Sequence, residues 1–153
     1  MWFDGQKKSR TFSEILSFLK ESLDFSPLFI IGTDSQPHKE GTQFVTAIAI
    51  LSCSKDYDSK YFYFKHEPKV IEGLYNRMFE EAQMSINLVE QIRSETSGGE
   101  VEIHLDISPS DSQNRTSQYS NSLTSLVKAY GISSVKVKPN SWCASFIADA
   151  HSK

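Results

Sequence analysis

The chain has 153 residues, 39% hydrophobic, 12% aromatic and 23% charged, which excludes a disordered segment and a mini-protein dependent on disulfides or metal for folding. Its formal net charge of -3 excludes a domain that grips nucleic acid by bulk positive charge, though not one with a local basic groove. The longest strongly apolar run, Phe44 to Leu51, is too short to span a bilayer, and the amino terminus lacks the basic-then-apolar order of a signal peptide, so a cytoplasmic protein without membrane association is expected.

One domain spanning 1–153 is expected, residues 1–10 being an N-terminal arm whose Trp2 and Phe3 pack on the domain or on a partner. Thr11 and Glu14 have the spacing of a capping box, and Phe12, Ile15, Leu16, Leu19 and Leu23 recur at helical spacing as far as Pro27. The first strand is predicted from Leu28 to Asp34. Ser35 to Gly41 has turn chemistry, so Asp34 should stand exposed at a strand's carboxyl end, where open α/β sheets place their chemistry. Strands two and three, Gln43 to Ser52 and Lys60 to His66, complete an antiparallel meander, with Tyr61 to Phe64 packing on an edge strand rather than stacking bases. A long helix follows from Val70 to Ser94, with Ile71, Leu74, Met78, Ala82, Ile86 and Val89 forming its apolar stripe. Strand four alternates from Val101 to Ile107, a helix spans Arg115 to Tyr130, strand five runs from Val135 to Lys138, and Ser141 caps a terminal helix reaching Asp149. Cys53 and Cys143 match no metal-ligand spacing and read as buried, reduced thiols.

Four acids carry the chemistry. With strands one and four as parallel neighbours, Asp34 and Asp106 stand side by side with backbones about 5 Å apart. Two such carboxylates repel unless a proton or a cation lies between them, and an all-oxygen donor set suits Mg²⁺ or Mn²⁺ rather than zinc. At about 100° per residue, Glu81 falls on the border of the long helix's apolar stripe while Glu80 points to solvent, making Glu81 the third acid. Asp149 is the fourth, on a terminal helix anchored by Trp142, Phe146 and Ile147. His151 reads as a solvated tail residue or a partner in proton transfer. His38, in a loop, and His104, satisfied in the interior, are left outside the catalytic set.

The order strand Asp, helix Glu, strand Asp, terminal-helix Asp resembles the ribonuclease H-like superfamily of two-metal nucleases. The segments Ile-Gly-Thr-Asp-Ser-Gln at 31–36, His-Leu-Asp-Ile at 104–107 and Lys-Pro-Asn-Ser-Trp-Cys-Ala-Ser-Phe-Ile-Ala-Asp-Ala-His-Ser-Lys at 138–153 resemble, more narrowly, the YkuK-type family of predicted nucleases. The resemblance covers residues 12–153. It implies a mixed five-stranded sheet flanked by helices, strand order 3-2-1-4-5 with strand two antiparallel. It also implies two Mg²⁺ or Mn²⁺ ions held by Asp34, Glu81, Asp106 and Asp149, and RNA, DNA or hybrid as partner. The chain departs from the better-known enzymes in having no strongly basic helix, although Lys39, Lys136, Lys138 and Lys153 fall near the expected active edge, with Lys138 and Lys153 the candidate substrate contacts. A nuclease is the leading expectation. The alternatives are a non-catalytic nucleic-acid or protein-binding module and a hydrolase or transferase of small nucleotides.

Overall fold

The computed structural model describes residues 1–153. Its centre is a pair of long antiparallel strands, β3 (Leu28–His38) and β4 (Gly41–Leu51) in the structure's own count, paired residue for residue from Leu28↔Leu51 to His38↔Gly41. Only Lys39 and Glu40 lie between them, and Gly41 closes the turn at a φ of 129° that side chains with a Cβ rarely adopt. The expected loop over 35–41 is therefore corrected: cross-strand pairing holds Ser35 to His38 extended despite their turn propensity, and Asp34 lies within a strand.

The sheet has seven strands rather than five, in the order β2-β1-β5-β4-β3-β6-β7: the five expected strands keep their order 3-2-1-4-5, and two further strands extend the sheet beyond the third. The strands expected as first to fifth are β3, β4, β5 (Lys60–Lys65), β6 (Glu100–His104) and β7 (Ser134–Lys136). Residues assigned to an arm instead form β1 (Trp2–Asp4) and β2 (Ser9–Arg10), and β1 pairs antiparallel with β5. Asp4 fixes the turn between them by accepting the N–H groups of Gln6 and Lys8, while Trp2 packs against Phe12 and Phe64. Strand β4 is antiparallel to β3 and β5, whereas β6 runs parallel to both β3 and β7.

Side-chain alternation divides the two faces. Phe29 and Ile31 of β3 join a cluster with Ile15 and Leu19 of α1 (Phe12–Ser22), with Met78, Ala82, Ile86 and Val89 of α2 (Leu74–Glu95), and with Leu123 and Val127 of α3 (Ser120–Ala129). Thr11 caps α1 as its spacing predicts, its hydroxyl accepting the Glu14 N–H at 3.1 Å. Ile30, Val45 and Ala47 face the other way, onto Cys143 and Ala148 of the terminal helix. That helix is wound as a π-helix over Cys143–Ala148 and continues as α4 (Asp149–Ser152). Ser141 does not cap it through a backbone N–H as expected; its hydroxyl shares a 2.9 Å hydrogen bond with that of Ser145. No helix is long and apolar enough to cross a membrane.

Other boundaries shift as well. The long helix starts at Leu74, four residues later than expected, because Gly73 with φ 87° ends the extended approach. Strand β6 stops at His104, so Asp106 lies in the segment after it, and a short 3-10 turn over Ser117–Tyr119 precedes α3. Cys143 is buried as expected, but Cys53 is exposed.

Candidate active site

The site lies where β3 outruns its parallel neighbour. Gly32↔His104 is the last β3–β6 pair, so Asp34 and Asp106 each stand two residues past it and equal steps along parallel strands bring their carboxyl groups together. Asp34 is only 4% exposed. Burial, and then the negative charge of Asp106, push its carboxyl up to about 7, against hydrogen bonds from Ser152 and Gln36 that favour the charged form.

The terminal helix completes this face. It can approach β3 closely because position 32 is glycine: a Cβ there would lie 2.5 Å from the Ala144 backbone nitrogen. His104 fixes the start of the helix, its Nδ1 accepting the Cys143 N–H at 3.1 Å while Nε2 sits 2.7 Å from Glu102 Oε2, an arrangement that puts the ring proton on Nε2. Further along, Ser145 Oγ donates to Asp106 Oδ1 at 2.7 Å and Ser152 Oγ donates to Asp34 Oδ2 at 3.0 Å. Gln36 Nε2 lies 3.2 Å from Asp34 Oδ2 and 3.1 Å from Asp149 Oδ1, tying the helix acid to the strand acid.

Glu81 arrives from the opposite side. It is 5% exposed on α2, and Ser35, the next residue along β3 from Asp34 and so on the other face, donates Oγ to Glu81 Oε1 at 2.5 Å. Burial raises the Glu81 carboxyl well above the usual range; the Ser35 bond opposes the rise and the charges of Asp34 and Asp106 add to it. Glu80 instead pairs with Lys69 at the surface.

Three of the four acids thus share one face and are linked, Asp34 directly with Asp106 and through Gln36 with Asp149, while Glu81 stands behind the strand. No three His, Cys, Asp or Glu side chains converge closely enough to hold a metal ion. Lysines partner the two more exposed acids: Lys138 Nζ lies 3.3 Å from Asp106 Oδ1 and Lys153 Nζ 3.0 Å from Asp149 Oδ2. Lys39 and Lys136 are exposed.

His151 is neither a free tail residue nor near the acids' oxygens. It stacks on Tyr63 at 3.7 Å between ring centroids and 5° between planes, with Tyr61 Oη 3.2 Å from its Nε2, and so anchors α4 over β5. His38 is exposed and His104 is interior and satisfied, as the sequence suggests. Sequence reasoning missed Gly32, Ser35, Gln36, Ser145 and Ser152. Gln36 was within reach, since two residues along a strand return to the same face.

A mixed sheet with helices on both faces and carboxylates gathered beyond the end of a parallel strand defines an α/β protein with an acidic edge. The chain belongs to the Ribonuclease H-like family, whose model matches residues 10–153. No curated protein and no solved structure matches it.

Proposed function

We propose that the chain is a divalent-cation-dependent nuclease of the YkuK type that hydrolyses phosphodiester bonds of RNA, DNA or a hybrid at the edge of β3. The observation that carries this is the Asp34–Asp106 pair, two carboxyl groups that each stand two residues past the last β3–β6 pair, where burial and then the charge of Asp106 push Asp34 up to about 7. The donor set fits a hard cation: every candidate ligand is an oxygen, and a cation between the pair relieves the repulsion a proton otherwise relieves. Asp34, Asp106 and Asp149 would hold Mg²⁺ or Mn²⁺, with Glu81 contributing from behind the strand. When bound, two such ions supply an activated water and stabilise the departing oxygen of the phosphodiester.

The chain's own groups do the positioning. Gln36 fixes Asp149 against Asp34, and Ser145 orients Asp106. Lys138 and Lys153 balance the acids' charge and lie where a phosphate could take them over as partners.

The test is Mn²⁺ titration calorimetry on the wild type and Asp106→Asn, followed by cleavage assays on single-stranded RNA, single-stranded DNA and a hybrid. Binding that weakens sharply in the variant, with cleavage lost alongside it, is the expected result. Absence of both binding and cleavage, with oligonucleotide present, would sink the proposal. That result would favour a second reading, a non-catalytic nucleic-acid or protein-binding module, which draws support from the absence of any converged group of three ligands. In that case Asp34→Asn would leave partner binding intact.

A further inference from the structure

An open cleft of about 800 Å³ lies away from the acids, on the α2 face of the sheet, between α1, β5 and α2. Its volume falls in the range of small-ligand sites. Its walls are aromatic and apolar: Trp2, Phe12 and Phe64 meet the thioether of Met84. Its charged side chains are already paired, Arg10 with Asp4 and Glu14, and Glu80 with Lys69, while the Met1 amino group, whose charge reaches His66, is in no ion pair. A ligand seeking a charged side chain would have to break an existing ion pair, and only the Met1 amino group is free to meet an anion.

The polar side chains that remain are neutral. His66 lines the cavity with its ring held neutral, burial pulling its pKa down to about 4. Its Nε2 is committed to Thr46 Oγ1 at 2.8 Å, and the chain continues through Thr33 Oγ1 at 2.9 Å to Ser85 Oγ at 2.8 Å. The three hydroxyls hold one tautomer at a time, so Nδ1 offers the cavity a single donor or acceptor of the character opposite to Nε2. Asn87 and Gln91, one turn apart on α2, line the same cavity: Asn87 Oδ1 already accepts from Gln83 Nε2 at 2.9 Å, which leaves its NH₂ to donate, while the Gln91 amide can both donate and accept. Flat aromatic walls with neutral, two-way hydrogen-bonding groups at the edge match an uncharged heteroaromatic ring.

We propose that this cleft is a nucleobase-binding site, separate from the acidic edge, packing the ring against the cluster that Trp2, Phe12 and Phe64 form and reading its edge with His66 and the α2 amides. The base reaches it as a free nucleoside or as the end of a strand. The proposal does not depend on the chain being a nuclease.

The experiment is titration calorimetry on the full chain with adenosine, guanosine, cytidine and uridine, and with a five-nucleotide single strand, in cation-free buffer so that the acidic edge does not contribute. Met84→Trp fills the cavity and Gln91→Trp does so from an exposed position, the second serving if the first fails to fold. His66→Gln keeps an amide for Thr46 and deletes Nδ1. At least one base should bind, at least about tenfold more weakly in either cavity-filling variant and about tenfold more weakly in His66→Gln, the loss of one hydrogen bond. Binding by nucleosides identifies a free base as sufficient; binding by the oligonucleotide alone, lost on filling the cavity, identifies a strand end. No binding of any probe at millimolar concentration, binding indifferent to both filling variants, or equal binding of naphthalene unaffected by His66→Gln would each overturn the proposal.

Discussion

On the face covered by α1, α2 and α3, twenty buried side chains form one apolar cluster; on the face covered by the terminal helix the corresponding cluster has seven. The first face is held by apolar burial, with a single strand of buried hydroxyls running through it. The second is held at its active end by side-chain hydrogen bonds from Ser145, Ser152 and Gln36 to carboxylates that burial alone would disfavour. Where the site needs like charges close together, the fold thins its apolar packing and substitutes directed polar contacts. The large core then carries the stability that such an arrangement gives up.

Substitutions on each face should separate these roles. The largest effect is expected at Asp34. Asp34→Asn should lower cation-dependent phosphodiester hydrolysis by more than about 100-fold, beyond what loss of an outer-shell partner typically removes. Steady-state cleavage assays check this, and residual activity near the wild-type level would separate the acidic edge from catalysis. On the apolar face, Ile86→Ala should lower unfolding free energy by about 2–5 kcal/mol, since Ile86 is fully buried. On the thin face, Gly32→Ala should lower it by only about 1–3 kcal/mol, because the added methyl pushes the terminal helix off β3 rather than opening a cavity. Urea unfolding measures both, and Gly32→Ala should lose more activity than its stability change accounts for, since the displaced helix carries Asp149.

The apolar face was the more legible one. The period of Met78, Ala82, Ile86 and Val89 identifies α2 and, by the same geometry, puts Glu81 against the sheet and Glu80 outside. Asp34 and Asp106 could be paired from strand order alone. The acids' partners were not legible, because Gln36, Ser145 and Ser152 belong to residue types that ordinarily sit at surfaces and in turns, and only tertiary contact gives them a role. Strands β1 and β2 escaped notice for a different reason: three and two residues carry no periodicity, and their pairing depends on Trp2 finding Phe64 across the sheet. The π-helical winding that brings Ala144 onto Gly32 likewise has no signature in composition.

The carboxyl pair should also make the thin face pH-sensitive. The Asp34 pKa is raised in the folded state, from 3.8 to about 7, so its contribution to stability is fully present below about pH 4 and is lost as pH rises through 7. In cation-free buffer the wild type should therefore lose stability between about pH 4 and 7 relative to Asp34→Asn, by on the order of 1–3 kcal/mol. Thermal melts across that range check the difference, and parallel profiles for the two proteins would mean that folding does not raise the Asp34 carboxyl.

The smallest effect distinguishes support of the site from support of the fold. Ser152 is buried and its hydroxyl reaches both Asp34 Oδ2 and the Asp149 carbonyl, each at 3.0 Å. Because that bond stabilises the ionised form of Asp34, Ser152→Ala should move the Asp34 titration upward while lowering stability by about 1 kcal/mol. Ser152→Thr should restore the titration if its added methyl fits. A carboxyl-selective NMR titration resolves the shift. Were Ser152→Ala to lower stability without moving Asp34, the hydroxyl would be only a clasp for the last turn of α4, and Gln36 would remain as the group coupling the helix acid to the strand.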